Sequence, residues 1–163
     1  MIELDIMVES GDWGSVDDAE PLAQRAAEAA TVVAGRDGEA LEVSVMLTDD
    51  AQIRELNRTF RGKDKATNVL SFPAPELPGA GLPGNAAPRH LGDIALAYET
   101  LVREAEEESK PLAHHFAHLV VHGVLHLLGY DHEVESEAER MEDLEVKALS
   151  TLGIADPYRD MAA

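Results

Sequence analysis

The sequence predicts an α+β fold, a small mixed sheet packed with helices, and three observations carry that expectation. Alternating apolar and polar runs at 2–8 and 41–47 read as strands with one wet face. Helical patterns fill the second half of the chain, at roughly 99–108, 111–128 and 136–151. Strands grouped early and helices late favour α+β over a doubly wound parallel sheet. A chain of 163 residues suits one domain, 1–163, large enough to bury a core.

Each element has a local reason. Ile2, Leu4 and Ile6 alternate with Glu3 and Asp5 in the first strand. Ser15, with Asp18 three residues on, resembles a capping box opening a helix that runs to about Val33, where Gly35 and Gly38 break it. Leu41, Val43, Val45 and Leu47 mark a second strand. Thr48 reads as the N-cap of the next helix, with Asp49 and Asp50 in its first turn; it carries Ile53, Leu56, Asn57 and Phe60 and ends near Gly62. Val69–Phe72 is a short strand ending at Pro73. Residues 73–88 hold five of the eight prolines and three glycines without periodicity, which predicts a mobile loop. Leu91–Tyr98 is a further strand in which Gly92 marks a close approach or bulge. Pro111 suits the first turn of the helix after it, and Ser136 with Glu139 forms a capping box for the last helix, which ends at Gly153.

Composition narrows the function classes. No apolar run approaches the length that spans a bilayer, and no basic n-region precedes an apolar segment at the N-terminus, so the expected address is cytoplasmic, with no membrane partner. With no cysteine, any metal must be held by imidazole, carboxylate or water. A net charge of −19 argues against general affinity for nucleic acid. The charge is unevenly spread, however. Between Arg54 and Lys65 five basic residues face two acidic ones, a local balance of +3. Such an island can hold a few phosphates, or its side chains can simply pair along a helix; composition leaves both readings open.

The densest chemistry is the run His122-Gly-Val-Leu-His126-Leu-Leu-Gly129-Tyr-Asp-His132. His122 and His126 are four apart, so a helix stacks them on one face. Gly129 is placed to end that helix in the left-handed conformation and let the chain bring His132 back toward the other two imidazoles. Three neutral nitrogens hold a divalent ion while leaving one coordination place for water, which zinc acidifies toward a pKa of about 7. The spacing matches H-E-x-x-H-x-x-G-x-x-H at the three histidines and the glycine, but Gly123 stands where metalloproteases carry their glutamate base. A purely structural reading, a histidine-rich face satisfied by core hydrogen bonds, must explain the spacing and the glycine together.

Three stretches carry a resemblance. They are Leu56-Asn57 with Arg61-Gly-Lys-Asp-Lys-Ala-Thr-Asn-Val-Leu-Ser-Phe72, then Leu91-Gly-Asp-Ile94, then His122 through His132. In this order they resemble the YbeY family of bacterial metalloendoribonucleases, from about residue 40 to Tyr158. The resemblance implies a single α+β domain with a metal helix like that of the zinc metalloproteases, the zincin-like arrangement. It places one Zn²⁺ on His122, His126 and His132 and makes Arg61 the catalytic arginine. It implies cleavage of single-stranded RNA, maturation of the 3′ end of 16S rRNA and ribosome quality control, with the ribosome or its small subunit as partner and DNA excluded. The acidity of the chain makes a ribosomal context more plausible than unaided RNA affinity.

Other residues near these motifs have plainer expected roles. His118, one turn before His122, reads as a residue orienting a ligand or packed in the core. Asp131 reads as a hydrogen-bond partner of an imidazole, His114 and His115 as surface or substrate-side groups, and Asn68 and Asp93 as structural turn residues. Two competing functions follow from the same motif. A peptidase is disfavoured by Gly123. A non-catalytic, zinc-stabilised assembly factor would reveal itself by a side chain closing the fourth coordination place.

Overall fold

The computed structural model describes residues 1–16, 18–75, 88–131 and 133–158. In chain order it contains β1 (Ile2–Val8), α1 (Ala19–Val33), β2 (Leu41–Thr48), α2 (Asp50–Arg61), β3 (Val69–Pro73), β4 (Arg89–Ala97), α3 (Tyr98–Glu107), α4 (Leu112–Leu127) and α5 (Glu135–Thr151). Among the described residues the sheet runs β1-β2-β4-β3. Both β1–β2 and β2–β4 are parallel, and β3 is an antiparallel edge on β4. The sheet is therefore mixed and the fold α+β, as the patterning predicts, but α1 connects two parallel neighbours in the manner of an α/β unit.

Alternation along β2 divides the molecule. Leu41, Val43, Val45 and Leu47 point into the main core with α1, α4 and α5. On the other face Met46 joins Ile53, Leu56, Leu70, Phe72, Ala95 and Ala97 beneath α2. Helix α4 lies deepest: Phe116, Val120, Val121, Val124 and Leu125 are all fully buried. It touches α1, α3, α5, β3 and β4. The tight approach to β4 is made at Gly123, where a β-carbon would lie 2.9 Å from Ile94 Cδ1.

Gly92 is the bulge the sequence suggests. The pairing register slips between Glu42 and Val43, whose β4 partners are His90 and Gly92. Its φ is +144°, and a β-carbon there would lie 2.2 Å from the Phe72 carbonyl oxygen.

Several helix starts differ from the sequence expectation, and the tertiary structure explains some of them. Ser15 ends a 3₁₀ turn, Trp13–Ser15, and its hydroxyl bonds the Asp12 carbonyl and the Tyr98 hydroxyl at 2.8 Å each. Burial of Trp13 between Tyr98 and Phe116 holds that turn, so α1 starts later, after a left-handed Asp18 whose side chain makes no cap. Thr48 stays in β2 and Asp49 caps α2, accepting from the Gln52 amide at 2.9 Å. Pro111 is the N-cap of α4 rather than its first helical residue. The Ser136–Glu139 box does not form; α5 begins one residue earlier, with Glu135 and Glu137 in its first turn. Tyr98 opens α3 instead of closing β4. Of the proline-rich loop, 76–87 lie outside the described residues, while Pro73 belongs to β3.

The two glycine environments predict different costs for the same substitution. Gly92→Ala meets backbone and should lower unfolding free energy by about 2 kcal/mol or more. Gly35→Ala has φ +71° and open space around its β-carbon, and should lose only roughly 1–2 kcal/mol. Urea denaturation of both variants tests the bulge assignment; equal losses would overturn it.

Candidate metal centre and cleft

Helix α4 carries both helical histidines of the motif on one face. The rings of His122 and His126 lie 4.9 Å apart between centroids, at 83°. The helix closes as a Schellman turn: Tyr130 N–H donates to the Leu125 carbonyl at 3.1 Å and Gly129 takes φ +105°. The reversal expected of Gly129 is thus present. His132 lies outside the described residues. Gly123 sits in the contact between α4 and β4, against Ile94, so a larger side chain has no room there without displacing the isoleucine.

A cleft of about 650 Å³ opens beside the two imidazoles, with Arg61, Lys63, Asn68, Ser71, Tyr130, Asp131 and Glu133 among its lining. Arg61 is the last residue of α2, not a member of the loop beyond it. Gly62 ends the helix at φ +70°, and Lys63 N–H bonds back to the Asn57 carbonyl at 3.2 Å. Buried Asn57 donates to the Lys65 carbonyl at 3.0 Å and pins the returning chain. Arg61 Nη2 donates to the Ser71 carbonyl, and its guanidinium lies 5.4 Å from the Phe72 ring centroid. The arginine is exposed yet aimed by two partners on β3.

The basic island divides: part of it pairs along the surface, and part lines the cleft. Arg54 makes a two-pronged pair with Asp64 at 2.7 and 3.2 Å, and Arg58 pairs with Glu55 at 2.6 Å. These are solvent-exposed pairs of small energetic worth. Arg61 and Lys63 face the cleft instead. Asp131 and Glu133 add acidic groups to the same lining.

One residue at this site goes unremarked in the sequence. Glu145 of α5 is 1 % exposed. Its Oε1 lies 2.7 Å from His122 Nδ1 and 3.1 Å from His118 Nε2, and its Oε2 accepts from the Tyr158 hydroxyl at 2.5 Å. Burial pushes its carboxyl up, but the hydrogen bonds and charges of His118 and His122 outweigh that and hold it down at about 2. Burial, with the neighbouring carboxylate, pushes the Tyr158 phenol up, so it remains a donor. The available signal was periodicity. Met141, Glu145, Ala148 and Leu149 are the buried face of α5, so a carboxylate stands on an apolar stripe.

The remaining candidates are placed plainly. His118 lies one turn before His122 with its Nε2 3.1 Å from Glu145 Oε1, the oxygen that His122 also contacts. His115 is buried, not a surface group, with Nε2 2.9 Å from Glu104 Oε1. His114 is half-buried in the first turn of α4. Asn68 is structural: it donates to Glu104 at 3.0 Å and accepts from Val69 N–H at 2.7 Å. Asp93 lies on β4 with its carboxylate 3.5 Å from His90.

Fold and cleft together define an α+β protein in which a pair of helical imidazoles and a guanidinium line one cleft. The chain belongs to the endoribonuclease YbeY family, whose model matches residues 9–153. It is 53 % identical over 156 residues to an endoribonuclease YbeY of Rhodopseudomonas palustris, covering 96 % of this chain and 90 % of that protein. To the corresponding protein of Chelativorans sp. it is 54 % identical, covering 95 % and 92 %. The solution structure of TM1509 from Thermotoga maritima superposes with a TM-score of 0.55 at 26 % identity, covering 93 % of this chain and 92 % of that one. Among the described residues no helix is long and apolar enough to cross a membrane.

The donor chemistry fits a divalent metal. Among the described residues there is no group of three potential ligands, and His132, the third histidine of the motif, lies outside them. The two that are described are imidazoles on adjacent turns, and the hydrogen bond from His122 Nδ1 to a carboxylate leaves Nε2 as its acceptor nitrogen. Metal analysis of purified protein should therefore find one ion per chain in wild type and little in His126→Ala. Equal content in the two would remove His126 from the site.

Proposed function

We propose that the chain is a zinc-dependent endoribonuclease specific for single-stranded RNA, acting in the cytoplasm on the 3′ end of 16S rRNA in ribosome maturation and quality control. The observation that carries this reading is the shared cleft. His122 and His126 line it together with Arg61 and Lys63, in a chain whose relatives are named endoribonucleases. His122, His126 and His132, one turn apart and then past a glycine reversal, would hold one Zn²⁺ in a zincin-like manner. Zinc when bound supplies charge relief at a phosphoryl oxygen and acidifies water.

The chain's own residues account for the rest. The Arg61 fork is positioned to donate two hydrogen bonds to phosphoryl oxygens, strongest when their charge grows in the transition state. Docking on Ser71 and Phe72 spares it the entropy of being ordered at that moment. Lys63 adds a second cation to the same cleft. The acidic groups of the lining and the net charge of −19 disfavour long polyanionic contacts, so the protein engages a short single-stranded segment presented by the ribosome or its small subunit. Peptide hydrolysis lacks support at Gly123, which stands where metalloproteases carry their glutamate base and whose β-carbon position is crowded by Ile94.

Arg61→Lys keeps the charge and loses the fork. Single-turnover cleavage of a single-stranded RNA should fall by about 10²-fold or more, with thermal melt and zinc content unchanged. Unchanged cleavage would remove Arg61 from the chemistry, and lost zinc would make it a structural residue. Wild-type protein that holds zinc and cleaves no RNA would favour a non-catalytic assembly factor.

A further inference from the structure

We propose that Glu145, locked by Tyr158, is the positioning residue of the metal centre, so that the segment following α5 completes the outer shell of a site built on α4. This rests on the reading of His122 as a metal ligand.

The geometry assigns the roles. The Glu145 carboxylate already accepts from the Tyr158 hydroxyl at Oε2, and the 2.7 Å bond at Oε1 pairs it with His122 Nδ1 as donor, leaving Nε2 as the lone-pair nitrogen. His118 donates to the same oxygen through Nε2 at 3.1 Å, and the Tyr158 hydroxyl occupies the other oxygen at 2.5 Å. Three donors on one carboxylate leave it no alternative rotamer with equal partners. Stability alone is a poor reason for such an arrangement. A buried acid is matched or bettered by an apolar side chain of similar volume on a stripe otherwise made of Met141, Ala148 and Leu149. What an apolar residue cannot do is choose the imidazole tautomer.

Tyr158 reaches this acid because the chain after α5 folds back onto α4. Gly153 turns the chain at φ +75°, Ile154 is buried, and Lys110 Nζ donates to the Pro157 carbonyl at 2.7 Å. The Tyr158 ring then stands edge-on to His118, 5.5 Å between centroids. Among the described residues the C-terminal segment thus reaches the site through Tyr158, by its hydroxyl on Glu145 and its ring against His118.

Glu145→Gln preserves volume but carries an amide NH₂ that can turn toward His122 and drive its proton to Nε2. Tyr158→Phe removes one hydroxyl and leaves the packing. Both variants, as full-length apo-protein, are titrated with Zn²⁺ against a chromophoric chelator and with Co²⁺ by visible absorption. The His122 tautomer is read by long-range ¹H–¹⁵N correlation, and melts of the apo-proteins report folding. The expected result is Zn²⁺ affinity weaker by about 10- to 100-fold in Glu145→Gln, a smaller loss in the same direction in Tyr158→Phe, and a tautomer shift at His122 in the acid variant. Lower melting points with unchanged metal affinity and tautomer would overturn the proposal and leave Glu145 a core acid. If Glu145→Gln does not fold, unchanged affinity in Tyr158→Phe overturns it. Wild-type protein that binds neither metal would instead refute the metal reading on which the proposal stands.

Discussion

Everything at this site depends on how deeply α4 is buried. A helix that meets the sheet at Ile94, α1 and α5 on its flanks, and α3 at its start has no freedom to rotate or slide. The imidazoles it carries inherit that fixed register. Two histidines one turn apart on an exposed helix would sample many rotamers. Here His122 is held between a core helix and a buried acid, so its ring orientation is settled before any ligand arrives. Preorganisation of this kind removes an ordering cost from binding.

The part of the cleft around Arg61 is built by other means. Arg61 projects from the C-terminal end of α2, where its helix contributes only exposed surface, and must be aimed by contacts rather than by burial. A glycine reversal, the Asn57 side chain and the Ser71 carbonyl do that work. Two of its basic neighbours are engaged by Asp64 and Glu55, which keeps the island from becoming a general polyanion surface. In a strongly acidic chain the attraction is confined to a few ångströms around the cleft, well within a Debye length. Local positive charge with global negative charge gives little electrostatic attraction to a long polyanion beyond the cleft.

How much of this was legible follows from the range of each interaction. The 122–126 spacing, the left-handed glycines at 62 and 129, and the bulge at 92 are local features, and local pattern expresses them directly. Caps were less secure, because neighbouring polar residues compete for one role: Asp49 displaced Thr48, and burial of Trp13 moved the start of α1 past Ser15. Glu145 was beyond reach for a different reason. Its partners lie 13, 23 and 27 residues away, and nothing in the sequence pairs them. The single trace it left, a charge on an apolar stripe, says that a partner exists and not which one.

Gly123 joins packing to chemistry. A β-carbon at that position would press on three carbons of Ile94, so the residue that lets α4 close on the sheet is also the one that excludes a carboxylate from the protease position. A side chain at 123 would have to shift Ile94, and with glycine there the protease base is absent. The loss is tolerable only for a reaction that asks little of that base. An amine leaving from a peptide needs a proton delivered by a neighbouring acid. An alkoxide leaving from a phosphodiester can instead be stabilised where its charge develops, by fixed positive groups. The cleft offers such groups in Arg61 and Lys63, while Gly123, packed against Ile94, brings no proton shuttle.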